Sequence, residues 1–238
     1  MLGILSLCVI LTACNNDKDH VAVITLPTQS KSLELNIIHI NDHHSHLDED
    51  QAGFQLKMDV GKGEEEFNAS KGGFSRVAAF MNQVIAEKKN VFKMHAGDAI
   101  TGDLYYNLTE GKADVEAMNS ICFDTFTPGN HEFDSTDAGL KKFIDFLDQG
   151  TCKNNTKILS ANVIFGASSP LYKTSRIQKS QVFERDGVKF AVIGLTVAGK
   201  TKNSSQPHTD TLFMDEVVTA QQEINQLKAQ GIQNIILT

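Results

Sequence analysis

Short apolar runs and amphipathic segments alternate along the chain. The apolar runs have the length of buried strands; they occupy residues 33–40, 90–98, 123–127, 157–163, 181–195 and 234–238. Apolar residues at helical spacing predict helices between them; these lie at residues 73–89, 113–120, 140–147 and 216–230. Strands that alternate with helices predict a layered α/β domain.

Two segments depart from this simple alternation. Residues 181–195 (QVFERDGVKFAVIGL) are two β-rich runs around Asp186 and Gly187, a pattern that predicts a β-hairpin and therefore some antiparallel pairing. Residues 51–71 contain Gly61, Gly63 and three consecutive glutamates, and we expect an irregular, solvated loop there.

Composition limits the classes of protein to be considered. The chain has 238 residues, 41% of them hydrophobic, which is enough for one domain with a substantial core. Its net charge is -7 and it has no basic run, so the sequence gives no footprint for binding nucleic acid. A small anionic substrate is still compatible with this charge, because one metal ion can reverse the local field of an acidic site.

The amino terminus has the pattern of an export signal. Its apolar stretch, residues 2–13, is too short to span a bilayer as a helix. Residues 11–14 (LTAC) resemble the lipobox of bacterial lipoproteins, so residues 1–14 are interpreted as a lipoprotein signal segment with Cys14 lipidated. Asn15 favours the outer membrane, facing the periplasm, and residues 15–32 are expected to form a tether. The alternative is an ordinary cleavable signal with a chance cysteine.

Two cysteines lie outside the export segment. Cys122 and Cys152 could form a disulfide, which export would permit. Two separate buried thiols explain the same residues, and spacing does not decide between them.

Polar clusters follow three successive predicted strands. In α/β sheets the carboxyl ends of the strands are where ligands bind, so these side chains could converge on one edge. They include carboxylates, an amide and imidazoles, all common metal ligands. A set of solvated loops is the simpler alternative, but it does not explain why the pattern repeats after each strand. The side chains are Asp42, His44, Asp98, Asn130, His131 and Asp134.

The motifs NDHHSHL, AGDAITGDLYYN and GNHEFD, in this order, resemble those of the calcineurin-like metallophosphoesterases. Within that family the bacterial periplasmic 5'-nucleotidase / UDP-sugar hydrolase group is the nearest match, from about residue 35 to the end of the chain. The resemblance implies a layered α/β/β/α sandwich, incomplete at the carboxyl end. Residues 33–238 would be a truncated catalytic domain, and the nucleotide-binding second domain of the family would be absent.

The resemblance also implies a role for each residue of the polar clusters. Asp42, His44 and Asp98 would hold one divalent ion, and Asp98 would bridge it to a second ion held with Asn130; zinc, manganese or similar ions are expected. The two ions would activate a water for hydrolysis of phosphate esters of extracytoplasmic nucleotides or nucleotide sugars. His131 would stabilise the phosphoryl group, and Asp134 would orient His131.

Neighbouring polar residues have simpler interpretations. His43 is expected to be scaffolding, as is His46. His39 is expected to be a hydrogen-bonded core residue within the first apolar run. Glu132 could serve a helix start, and Asp103 could cap a loop.

Other functions remain open at this stage. A hydrolase of the same fold could act on other phosphoesters, on cyclic nucleotides or on a sulfur ester. The 238-residue chain could also be an inactive fragment that binds metal weakly, and on the ligands present we expect it to lack appreciable phosphatase activity. An exported solute-binding lipoprotein would share the lipobox but has no reason to carry the three motifs.

Overall fold

A computed structural model describes residues 32–59, 61, 64–153 and 155–238. The proposed signal segment, Cys14 and nearly all of the expected tether lie outside the described residues. Along the described chain the strands and helices are β1 (Asn36–Ile40), β2 (Glu49–Asp59), β3 (Glu64–Gly72), α1 (Phe74–Glu87), β4 (Val91–His95), α2 (Leu104–Thr109), α3 (Lys112–Asn119), β5 (Thr125–Phe126), a 3-10 turn (His131–Phe133), α4 (Thr136–Gln149), β6 (Lys157–Leu159), β7 (Val163–Ile164), β8 (Ile177–Gln178), β9 (Ser180–Arg185), β10 (Val188–Ile193), α5 (Ala198–Ser204), β11 (Leu212–Phe213), α6 (Glu216–Ala229) and β12 (Asn234–Leu237).

The larger sheet positions the polar clusters. Its five strands are all parallel and are ordered β1-β4-β5-β6-β8. The last residues of neighbouring strands are in register: Ile40 lies beside His95, and His95 lies beside Phe126. Because parallel strands end at the same edge, the loops after β1, β4 and β5 emerge side by side.

A second, three-stranded sheet has the order β12-β10-β9. Strands β9 and β10 pair antiparallel, whereas β12 pairs parallel to β10. Asp186 and Gly187 connect β9 to β10 with φ angles of 50° and 73°. Positive φ at both central residues is typical of a two-residue hairpin turn, so the predicted hairpin is confirmed.

Three apolar clusters hold the layers together. Phe126 and Phe143 belong to the cluster between the larger sheet and its helices. Phe92 and Phe190 lie in the cluster that contains residues of both sheets. A third cluster, which includes Leu227 of α6, packs on the other face of the smaller sheet. This order of layers is the α/β/β/α sandwich expected from the sequence.

The expectation for residues 51–71 was wrong. Strands β2 and β3 pair antiparallel across this region and form a separate two-stranded sheet. The sequence does alternate Phe54, Leu56 and Met58 with polar residues, which is the strand period. The glycines and the glutamate run beside it obscured that signal.

The expectation that His39 is a core residue was also wrong, because its position in β1 is exposed. Strand β1 is an edge strand of the larger sheet, and its burial alternates along its length. Ile37 on the same face is likewise 45% exposed. An apolar run therefore marked the strand correctly, but only one of its faces packs on the core.

No helix in the described ranges is both long enough and apolar enough to cross a membrane.

A disulfide joins Cys122 to Cys152, with their Cα atoms 5.2 Å apart. It connects the segment just after α3 to the segment just after α4. The open choice between a disulfide and two free thiols is thus resolved in favour of the disulfide. The bond lies at the start of the segment that leads into β5 and on to Asn130.

Replacing both cysteines with alanine should lower the free energy of unfolding by about 3.5 kcal/mol, because the bond closes a loop with a sequence separation of 30 residues. Urea unfolding of the wild type and of the Cys122→Ala/Cys152→Ala variant measures the difference. Reducing the wild type should lower its stability to a similar level. A variant as stable as the oxidised wild type would contradict the prediction.

Candidate metal centre

The loop after β1 runs alongside the loop after β4. Three backbone hydrogen bonds join them: Asp42 N–H donates to Gly97 O at 3.0 Å, His44 N–H to Asp98 O at 3.1 Å, and Ser45 N–H to Ala99 O at 2.9 Å. These bonds continue the β1–β4 pairing past the ends of the strands. They place the Asp-x-His motif directly against the Gly-Asp motif.

The backbone at this edge is strained. Four residues have positive φ angles, in the left-handed region that non-glycine residues seldom occupy. The angles are 53° at Asp42, 48° at His44, 55° at Ser45 and 52° at Asp98. Each such residue costs roughly 1 kcal/mol or more, and it persists only where its surroundings enforce it. Strain at three proposed metal ligands is typical of a functional site.

Asp98 lies at the centre of the cluster. Its Oδ1 atom accepts a hydrogen bond of 2.8 Å from the backbone N–H of His131, which comes from the loop after β5. Burial raises the pKa of the Asp98 carboxyl, the His131 hydrogen bond and charge oppose the rise, and the neighbouring Asp42 carboxyl adds to it. Two carboxyl groups brought this close are a favourable environment for a cation.

Glycine is required opposite Asp98. A Cβ atom at Gly129 would overlap the Asp98 carboxylate, and a Cβ atom at Gly97, where φ is 94°, would overlap the backbone of Gly129. The glycines of the Gly-Asp and Gly-Asn-His motifs therefore let the two loops approach closely enough for Asp98 to reach His131.

Asn130 is the buried member of the cluster, with 5% of its surface exposed. Its Nδ2 atom is buried and makes no hydrogen bond. A side-chain amide without a partner is costly in a folded protein. Coordination of a cation by the amide oxygen would offset this cost, while Nδ2 itself would still have no partner.

The donor set suits a divalent ion. Among the described residues, ligand atoms of His44, Asp98 and His131 lie within 4.8 Å of one another. Asp42 Oδ1 lies 3.5 Å from His44 Nε2, which brings a second carboxylate to the same place. Imidazole and carboxylate ligands together are those of zinc and manganese sites. The residues present therefore fit the metal that the motifs imply.

His131 and Asp134 form a close pair. His131 Nδ1 lies 2.6 Å from Asp134 Oδ2 and 2.8 Å from Thr101 Oγ1. The His131 ring also packs edge-on against the His44 ring at 4.6 Å between centroids. A proton on Nδ1 is thus held by Asp134, and Nε2 is the ring nitrogen left for another partner.

Glu132 has a larger role than a helix start. It is fully buried, and its carboxylate accepts hydrogen bonds from the backbone N–H groups of Asp98, Ala99 and Gly129 at 3.0, 2.8 and 2.6 Å. Burial, and then the charge of Asp98, raise the pKa of Glu132 to about 7. These hydrogen bonds connect the loop after β5 to the loop after β4. The motif alone did not reveal this role of Glu132.

The remaining polar residues near the motifs have structural roles. Asp103 accepts a hydrogen bond from Leu104 N–H at the start of α2, so its expected role as a cap is confirmed. His46 pairs with Asp103 at 3.0 Å on an exposed surface. Both ring nitrogens of His43 contact other side chains, which agrees with scaffolding.

The comparisons with known proteins cover most of the chain. Residues 35–216 match the family model for calcineurin-like phosphoesterases. Over 216 residues the chain is 44% identical to the NAD 5'-nucleotidase of Haemophilus influenzae, an alignment that spans 89% of this chain and 32% of that protein. Over 212 residues it is 38% identical to a probable 5'-nucleotidase of Treponema pallidum, spanning 89% of this chain and 33% of that protein. The chain thus covers about a third of the length of these relatives.

Two solved structures that resemble this chain are also nucleotidases. The structure of the Haemophilus influenzae NAD nucleotidase aligns with a TM-score of 0.73 and 43% identity, covering 86% of this chain and 34% of that one. The 5'-nucleotidase precursor of Thermus thermophilus aligns with a TM-score of 0.71 and 29% identity, covering 85% of this chain and 36% of that one. Sequence, fold and the arrangement of the motif residues agree, and the chain belongs to the calcineurin-like phosphoesterase family.

Proposed function

We propose that the complete protein hydrolyses phosphate esters of nucleotides or nucleotide sugars outside the cytoplasm, as a 5'-nucleotidase / UDP-sugar hydrolase. The observation that carries this proposal is the position of Asp98, whose carboxylate lies beside Asp42 and accepts the N–H of His131 at one edge of the sheet. The names of the relatives, which are nucleotidases, support the substrate class.

The proposed ligands divide between two ions. Asp42, His44 and Asp98 would hold one, and Asp98 and Asn130 would supply part of the coordination of the other. When bound, the ions would polarise the phosphoryl oxygens and lower the pKa of a water nucleophile. The backbone hydrogen bonds between the two loops keep the Asp42 and His44 side chains next to Asp98.

His131 acts on the phosphoryl group in this proposal. Asp134 holds the proton on Nδ1 and orients the ring, so a proton carried on Nε2 would be donated to a phosphoryl oxygen as its charge grows. About a third of the His131 side chain is exposed, so a substrate can reach it.

Phosphate release by the purified complete protein tests this function. When manganese or zinc is present, AMP should yield adenosine and phosphate. UDP-glucose should yield glucose 1-phosphate and UMP, and the UMP should then yield uridine and phosphate. A chelator should abolish both reactions. Cyclic AMP and a thiosulfate ester, tested in parallel, represent the other substrates that this fold could serve. Hydrolysis of either of these in preference to AMP would overturn the nucleotidase assignment.

The extracytoplasmic location rests on separate observations. Residues 11–14 (LTAC) end an apolar stretch, and a Cys122–Cys152 disulfide persists best in an oxidising compartment. In this proposal Cys14 is lipidated and anchors the protein to the outer membrane, with more than one acyl chain for stable attachment. Mass spectrometry of the mature protein should find lipid-modified Cys14 at the amino terminus, and an unmodified start beyond Cys14 would overturn the assignment.

A further inference from the structure

A chain of hydrogen bonds lies beneath the loop that carries Asp42 and His44. His95 Nδ1 accepts from Gly97 N–H at 3.2 Å, and His95 Nε2 lies 3.0 Å from His43 Nδ1. His43 Nε2 lies 3.2 Å from Asp114 Oδ1, and the Ser45 hydroxyl donates to Asp114 Oδ2 at 3.0 Å. We call His43, His95, Asp114 and Ser45 the buried relay.

The direction of every hydrogen bond in the buried relay follows from its two ends. The Gly97 N–H group can only donate, so His95 Nδ1 carries no proton and a neutral His95 has its proton on Nε2. That proton is donated to His43 Nδ1, so the proton of His43 is on Nε2 and is donated to Asp114. Burial, followed by the effect of His43, lowers the pKa of His95 well below its usual value, which keeps this ring neutral.

The buried relay is shielded from water. His95, Asp114 and Ser45 are fully buried, and only 10% of the His43 side chain is exposed. The ring of Phe74 lies 5.2 Å from the ring of His43. Hydrogen bonds in such surroundings are strong when complete and costly when broken, so the relay fixes its members rigidly.

The relay connects the two loops that carry Asp42, His44 and Asp98 to helix α3. His43 stands between Asp42 and His44, and Gly97 immediately precedes Asp98. Asp114 belongs to α3 and supplies a fixed point outside both loops. Because Asp42, His44 and Asp98 all have strained backbones, an anchor of this kind is needed to hold them in place.

We propose that His43, His95 and Asp114 are positioning residues that set the affinity of the metal site by holding the loops after β1 and β4 in register. The inference rests on the proposed function only in that a divalent ion binds at this edge. It assigns to these three residues no contact with the ion or the substrate.

Paired variants of Asp114 in the complete protein test the proposal. Asp114→Asn keeps an oxygen for the His43 Nε2–H and an amide that can donate to the Ser45 hydroxyl, whereas Asp114→Leu removes both contacts. Calorimetric titration with Mn²⁺ should show affinity lowered by roughly 10–100-fold for Asp114→Leu, the usual loss when support for a ligand is removed, and largely retained for Asp114→Asn.

Asp137 provides a matched control. It too is a fully buried aspartate near the start of a helix. Its carboxylate accepts hydrogen bonds from the hydroxyls of Ser169 and Thr211. Neither of these partners lies in a loop that carries a proposed metal ligand. Asp137→Leu should therefore destabilise the fold without lowering Mn²⁺ affinity. The proposal is wrong if Asp114→Leu binds Mn²⁺ as tightly as the wild type, or if Asp114→Asn loses as much affinity as Asp114→Leu.

A spectroscopic measurement on the wild type tests the hydrogen bonds of the buried relay even if Asp114→Leu fails to fold. Nitrogen-15 NMR of the metal-free protein should show that His43 and His95 each carry a proton on Nε2 and none on Nδ1. A proton on Nδ1 of either ring would overturn the relay. A protein that meets these expectations but releases no phosphate would reject the proposed function and leave this inference standing.

Discussion

Replacing Asp98 with alanine in the complete protein is expected to abolish both metal retention and phosphate release. Asp98 is the one carboxylate assigned to both ions, so the change removes a ligand from each. We expect the rate of phosphate release from AMP to fall by more than about 100-fold, the upper end of the loss caused by removing a residue that merely supports a ligand. Metal analysis after gel filtration and steady-state kinetics measure the two effects.

Asp103→Ala is the matched control for the loss of a carboxylate near the site. Asp103 lies five residues further along the chain and caps α2 through Leu104 N–H. Its loss should cost about 1 kcal/mol of stability and leave the metal content unchanged. If Asp98→Ala retained two ions per chain, the bridging role of Asp98 would be wrong.

Replacing His131 with alanine should lower turnover by about 10²–10⁴-fold while metal content stays close to that of the wild type. The side chain donates to the phosphoryl group in our proposal, whereas the hydrogen bond that positions Asp98 comes from the His131 backbone and survives the substitution. Metal analysis and kinetics on the same preparation separate the two contributions.

Asp134→Asn is the companion variant for His131. It keeps an oxygen near His131 Nδ1 but replaces a charged hydrogen-bond partner with a neutral one that holds the ring less firmly, so a smaller fall in kcat than for His131→Ala is expected. His44, Asp98 and His131 offer ligand atoms within 4.8 Å of one another, so a ligand role for His131 is a definite alternative. Loss of metal from His131→Ala as complete as from Asp98→Ala would establish that alternative.

The parts of the fold predicted from the sequence are those with a local signal. The apolar runs predicted β1, β4 and β10, and helical spacing predicted α1, α4 and α6. Short elements with few apolar residues, such as α2 and α5, were missed because tertiary contacts determine them more than the local sequence does. The two-residue strands β8 and β11 are too short to carry a period at all.

The candidate site likewise contains residues that have a local sequence signal and residues that do not. The placement of motif residues such as Asp98 and Asn130 at one edge of the sheet could be predicted because each follows its own strand, whereas their roles as metal ligands stay a prediction. The buried relay could not, since His43 and Asp114 are separated by 71 positions and meet only when α3 packs beneath the loop after β1. His95 gave no signal in a strand whose other residues are mostly apolar, and its importance comes entirely from its neighbours.

The most direct test of the central claim is a crystal structure of the complete protein soaked with Mn²⁺, with the ions located by anomalous scattering. Our account predicts two peaks at the carboxyl edge of the larger sheet: one in contact with Asp42, His44 and Asp98, the other in contact with Asp98 and Asn130. An edge without ions, or a single ion held by His44, Asp98 and His131, would contradict it.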